Sequence, residues 1–181
     1  MKKLTCFLLI LVFNLCIFCS FSQNLLEVDQ LWNSYQEFKE ESLKNRRIKH
    51  KDILPLIEKL KNNAAFNVQK VGESIEGRNL YLISAGEGDI DVFLWSQMHG
   101  DESTATMAIF DILNFLTDDS FKAQKEELLQ NVTLHFLPML NPDGAEVFKR
   151  RNALDIDLNR DALRLQSPEA KILKAVRDSV D

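Results

Sequence analysis

The sequence has 181 residues, 45% of them apolar, with 22 basic against 27 acidic side chains and a formal charge of −5. That length and apolar share suit one folded domain, and the mild acidity argues against nucleic acid as a partner held by charge. All three cysteines (Cys6, Cys16, Cys19) precede Ser20, so the remainder of the chain has no means of forming a disulfide or a thiolate metal site.

Met1-Lys2-Lys3, an apolar run from Leu4 to Phe21 and the small-x-small ending Ser20-Phe21-Ser22 form the pattern of a secretory signal over 1–22, with cleavage after Ser22. A membrane anchor is the competing reading, but the run is barely long enough to span a bilayer. Phe18 before Cys19 is too bulky for a lipidation site. The expected protein is therefore exported, periplasmic or secreted, with no stable membrane anchor.

Residues 23–65 form a helical segment. Leu25, Leu26, Val28, Leu31, Trp32, Tyr35 and Phe38 recur at helical spacing, and a charged loop follows from Lys39 to Lys51. Asp52 is the expected cap of a second helix, with Pro55 in its first turn and Ile53, Leu54, Leu56, Ile57 and Leu60 on its apolar face. His50 reads as a solvated residue of the basic loop.

Residues 66–181 form the larger unit. Phe66–Val71 and Asn79–Ala85 read as a hairpin around Gly72-Glu73-Ser74-Ile75-Glu76-Gly77-Arg78. Asp91 to Trp95 has the composition of a strand buried in a sheet. It leads to His99-Gly100-Asp101-Glu102 and then to a helix beginning at Ser103. A neutral imidazole and a carboxylate three residues apart at a strand's carboxyl end can reach one metal ion, with Gly100 easing the turn between them. After a polar stretch with a short helix or turn, Val132–Leu140 is a second buried strand, in which His135 is a satisfied structural histidine. Asn141-Pro142-Asp143-Gly144 is turn chemistry. Ser167-Pro168 opens a last helix by an N-cap and a proline at its first position.

Glu76-Gly77-Arg78, His99-x-x-Glu102, Asn141-Pro142-Asp143-Gly144 and Asp157-Leu158-Asn159-Arg160 preceded by Arg150 stand in one order. Together they resemble the zinc carboxypeptidase family, the carboxypeptidase A-like metallopeptidases, from about Val71 to Asp161. The resemblance implies an α/β fold, a mixed β-sheet with helices on both faces, and a Zn2+ cofactor bound by His99 and Glu102. It implies that Asp157 accepts a hydrogen bond from the His99 ring and that Arg150 stabilises the oxyanion, with Arg151 the adjacent alternative. Asn159 and Arg160 would hold the C-terminal carboxylate of a peptide substrate, while Arg78 is a structural or rim residue. Asp155 replaces a glycine usual in the family, and Asp161 an asparagine. The family's third zinc ligand is a histidine downstream of the Asn-Arg pair, its general base a later glutamate; no histidine follows Arg160 here. The expectation is the front part of an exported zinc metallocarboxypeptidase, inactive by itself. The alternatives are a zinc deacylase of the succinylglutamate desuccinylase or aspartoacylase type, and a non-catalytic fragment or binding module.

Overall fold

The computed structural model describes residues 28–180; the signal-peptide reading, Cys6, Cys16 and Cys19, and Leu25 and Leu26 lie outside the described residues. Two compact units divide between Lys39 and Glu40. The first contributes helix α1 (28–38), on which Val28, Leu31, Trp32 and Tyr35 are exposed. None of the described helices is long and apolar enough to cross a membrane.

The second unit runs through α2 (His50–Lys61), β1 (Asn67–Glu73), β2 (Asn79–Ala85), β3 (Ile90–Trp95), α3 (Thr104–Thr117), α4 (Lys122–Asn131), β4 (Val132–Leu137), α5 (Pro142–Val147), α6 (Leu158–Asp161) and α7 (Pro168–Ser179). Its sheet has the order β1-β2-β4-β3, antiparallel at β1–β2 and β2–β4 and parallel at β4–β3. The sheet is thus mixed, as expected. Tyr81, Ile83 and Phe136 meet the apolar sides of α2 and α3 on one face. On the other face, Leu80, Leu82 and Leu137 meet Leu158 of α6 and Ile172, Leu173 and Val176 of α7. The period-2 alternation of side chains along the strands supplies both layers.

Several local expectations change. Helix α2 begins two residues before Asp52, which sits at the third helical position and accepts from the Lys49 N–H at 2.8 Å. Pro55 consequently lies in the second turn, with its ring exposed. His50 is buried, and its Nε2 meets the Asn79 carbonyl at 2.9 Å, because the helix start packs against the beginning of β2. The Asn141-Pro142 signal opens helix α5 instead of a free turn: Asn141 caps Gly144 N–H at 2.9 Å and Pro142 is the first helical residue. Strand β3 pairs with β4 alone, so it is an edge among the described strands, and Ile90, Val92 and Trp95 are exposed. His135 is satisfied as expected, between Ser84 Oγ at 2.8 Å and Asp91 Oδ1 at 2.7 Å.

Candidate functional site

The parallel strands β3 and β4 deliver two turns side by side at their carboxyl ends. Ser96 N–H donates to the Leu137 carbonyl, Leu140 N–H to that of Ser96 and Asn141 N–H to that of Gln97, each at 3.0 Å. The backbones then come so close at Gly100 that an added Cβ would lie 2.0 Å from the Gly144 carbonyl carbon. Gly100 is therefore required by close approach. The left-handed residue of this turn is Gln97, with φ 48°. Its buried side-chain amide donates to the Gly100 carbonyl at 3.0 Å and the Ile48 carbonyl at 3.2 Å, and its Oε1 accepts from Thr106 Oγ1 at 2.8 Å. Nothing in the sequence marked Gln97, since a glutamine with positive φ has no local signature.

This frame presents His99, 7% exposed, with a carboxylate at each ring nitrogen. Nδ1 lies 3.0 Å from Glu102 Oε2 and Nε2 lies 3.1 Å from Asp157 Oδ1. Asp157 also caps α6, accepting from Asn159 N–H at 3.1 Å, so the helix carrying Asn159 and Arg160 is tied to the His99 ring. Arg150 reaches the same cluster: Nε donates to Asp157 Oδ2 at 3.1 Å and Nη1 to Glu102 Oε1 at 3.4 Å. Arg151 turns instead to its own loop and donates to the Asp155 carbonyl at 2.8 Å. Burial pushes the Asp157 carboxyl up, but hydrogen bonds from His99 and Arg150, the Arg150 charge and the Asn159 N–H together hold it below the ordinary aspartate value.

Asn159 and Arg160 are exposed. Asn159 borders a small pocket of about 200 Å3 lined mainly by apolar residues, among them Phe93, Trp95, Met98 and Leu158. Glu102 lines a neighbouring cleft of about 410 Å3 with Arg46, Met98 and Asp101, and Asp101 Oδ1 is buried with no hydrogen-bond partner among the described residues. A larger groove, about 850 Å3, lies toward the start of β4, around Ser84, Thr133 and His135, and includes none of the predicted site residues. Ser84 is held there in the strand ladder between Asn67 and His135.

The clustered residues offer a cation part of a binding set. A neutral imidazole that donates Nε2–H to Asp157 turns an unshared pair at Nδ1 toward a carboxylate oxygen, and two such electron-rich atoms at 3.0 Å favour a cation between them. Two tetrahedral zinc ligands at ordinary bond lengths lie roughly 3.3 Å apart, close to that separation. An outer carboxylate on the second ring nitrogen is the usual way in which a ligand histidine is oriented. Among the described residues, no group of three His, Cys, Asp or Glu side chains comes together to complete a metal site. Glu169, the one glutamate after Arg160, is fully buried in α7 and is bonded to Ile75 N–H and Asn152 Nδ2.

The two family departures have local structural roles. Asp155 occupies the left-handed region, φ 57°, where glycine is the least strained residue. Asp161 is buried and accepts from Gln166 N–H at 2.9 Å, Ser167 N–H at 2.8 Å and Ser167 Oγ at 2.7 Å, so its carboxylate organises the entry to α7. Arg78 donates to buried Asp143 at 2.7 Å and ties the β1–β2 turn to α5.

The family model described as zinc carboxypeptidase matches residues 53–167. Carboxypeptidase SOL1 of Arabidopsis thaliana is 33% identical over 126 residues, which cover 60% of this chain and 26% of that protein. The human carboxypeptidase N catalytic chain is 27% identical over 139 residues, covering 64% of this chain and 30% of its own length. Among solved structures, a metallo-carboxypeptidase from Burkholderia cenocepacia superposes with a TM-score of 0.67 at 22% identity, over 72% of this chain and 38% of the other. The carboxypeptidase A of Helicoverpa armigera gives 0.57 at 19% identity, over 85% and 49%. These structures share the fold, and the chain spans between a quarter and a third of the length of the two sequence relatives.

Proposed function

This chain belongs to the zinc carboxypeptidase family, and from that premise we propose that it carries the first part of a peptidase centre releasing C-terminal residues from peptides outside the cytoplasm. The observation that carries the reading is the His99 ring clamped between Glu102 and Asp157, with Arg150 joined to both carboxylates. His99 Nδ1 and Glu102 would hold Zn2+. The bound ion would supply Lewis acidity to the scissile carbonyl and to a water molecule.

The chain's own residues have separable tasks. Asp157 holds the proton on His99 Nε2 and thereby keeps Nδ1 free as a ligand atom. Arg150, half exposed and aimed into the cluster, would stabilise negative charge developing on the carbonyl oxygen, an effect commonly worth about 3 kcal/mol. Asn159 and Arg160 would receive the substrate's terminal carboxylate, which a guanidinium can bind through two parallel hydrogen bonds. The family match favours this chemistry over the deacylase alternative.

The test compares two peptides that differ only in a free or amidated C-terminus. The free acid should bind at least tenfold more tightly, and Arg160→Ala should remove that preference while leaving the amide unchanged. Equal binding of acid and amide by the unaltered protein would overturn carboxylate recognition. In parallel, Zn2+ should bind in calorimetry and His99→Ala should abolish it.

A further inference from the structure

We infer that Glu169 is a positioning residue for the candidate centre: through Asn152 it fixes the loop that carries Arg150 and Asp157, and so sets how Asp157 meets the His99 ring. This rests on the proposed site but adds a residue that touches neither metal nor substrate.

The loop's shape depends on one side chain. Asn152, 6% exposed, accepts at Oδ1 from Leu154 N–H at 3.1 Å and from Ile156 N–H at 3.0 Å. Its own N–H donates to the Ile156 carbonyl at 3.0 Å, and its carbonyl accepts from Asp155 N–H at 3.0 Å. These four bonds close residues 152–156 into a compact loop and put Asp155 in its left-handed conformation. The remaining donor, Asn152 Nδ2, points to Glu169 Oε2 at 3.2 Å. Asp157 is the next residue after the closed loop, so a rotation of the loop about Asn152 moves its carboxylate relative to His99.

Glu169 is suited to act as the fixed end. It lies in the first turn of α7, beside Ser167, whose Oγ caps Ala170 N–H at 3.2 Å and is itself held by Asp161. Helix α7 is pinned to the sheet by Ile172, Leu173 and Val176. The second carboxylate oxygen accepts from Ile75 N–H at 3.3 Å, in the β1–β2 turn. That turn is braced separately by Asp143, which accepts from Ser74 Oγ at 2.6 Å, Glu76 N–H at 3.0 Å and Arg78 Nη1 at 2.7 Å. Glu169 thus joins a helix, a hairpin turn and the site loop at a point with no solvent exposure. Burial pushes its carboxyl above the ordinary glutamate value, and the neighbouring Asp143 adds to that. An acid kept in so costly a place needs a use that its packing volume does not supply. The upstream end of the loop has its own hold, since the Arg150 carbonyl accepts from Asn141 Nδ2 at 3.1 Å and Gly100 N–H at 3.4 Å. Loss of Glu169 should therefore release the Asp157 end selectively.

The experiment uses the protein with 15N-labelled histidine and records imidazole spectra at one fixed pH. Only three ring systems occur, His50, His99 and His135. Glu169→Gln keeps the volume but turns an amide donor toward Ile75 N–H or Asn152 Nδ2. It should displace or broaden the His99 ring peaks and leave those of His135, in the middle of β4 between Ser84 and Asp91, in place. Asn152→Ala cuts the same link and also removes the Oδ1 bonds to Leu154 and Ile156 N–H, so it should displace the peaks at least as far, and adding Glu169→Gln to it should change nothing further. A Zn2+ titration of each variant should show affinity reduced by roughly tenfold, the lower end of losses seen for outer-shell partners. Wild-type His99 peaks in either folded variant, with only a lowered melting temperature, would reduce Glu169 to a packing residue. Failure of the unaltered protein to bind Zn2+ would count against the metal reading alone, because the ring peaks test Glu169 independently.

Discussion

Gly100→Ala separates the two reasons for which glycine is used in this chain. The new Cβ would stand 2.0 Å from the Gly144 carbonyl carbon, 2.2 Å from Ala145 N and 2.5 Å from Gly144 O. All three are backbone atoms in the packed junction of two turns, so no side chain can swing away. Relief requires the turns to part by more than 1 Å, on the order of a full overpacking penalty of ~1–3 kcal/mol. Such a shift also breaks the Gly100 N–H contact to the Arg150 carbonyl at 3.4 Å and strains the Gln97–Gly100 bond at 3.0 Å. Each hydrogen bond is worth about 1 kcal/mol, which brings the expected loss to roughly 3–5 kcal/mol. The control is Gly77→Ala, where φ is +76° and nothing lies within 4 Å, so only the backbone preference acts, about 1 kcal/mol. Urea unfolding followed by tryptophan fluorescence measures both. A Gly100→Ala loss no larger than that of Gly77→Ala would refute the close-approach argument and with it the stated basis for the position of the His99–Glu102 turn.

Arg78→Ala leaves the buried Asp143 carboxylate with two of its three partners and should cost ~2–3 kcal/mol, read as a fall in midpoint with an unchanged urea slope. Asp161 titrates below its ordinary value: burial pushes it up, but the Gln166 and Ser167 donors outweigh that. A depressed carboxylate contributes stability above its unfolded pKa of about 3.9 and loses it as pH falls through the lower folded value. Asp161→Asn should therefore flatten the acid limb of the stability curve below about pH 4, and an unchanged limb would remove Asp161 from the account. For export, N-terminal sequencing of the protein recovered outside the cytoplasm should begin at Gln23, whereas an intact Met1 in the membrane fraction would indicate an anchor.

What the sequence disclosed, and what it hid, follows from the range over which each feature is decided. The α7 start at Ser167-Pro168 and the β1–β2 hairpin are settled within a few residues, and they stand as read. Asn141-Pro142 was ambiguous in principle, because the asparagine and proline that favour a turn are also an N-cap and a first helical residue. His50 looked solvated among its basic neighbours because its partner, the Asn79 carbonyl, is 29 residues away. Strand β3 has the apolar composition of an interior strand, but its place at the edge among the described strands depends on which strands pair, a property of topology that no single strand encodes. The site shows the same division. His99, Glu102 and Asp157 were legible because a resemblance supplied their grouping, although Asp157 is 58 residues from His99. Gln97, Asn152 and Glu169 were not, since each is an ordinary polar residue in its own segment. Their value is set by partners on other elements: Ile48 for Gln97, and for Glu169 the Ile75 N–H, 94 residues distant. Burial makes those bonds consequential, because an unmet donor or acceptor there has no water to turn to. A chemical motif therefore nominates atoms for substrate and metal, while the residues that hold those atoms in place become visible only once the chain is folded.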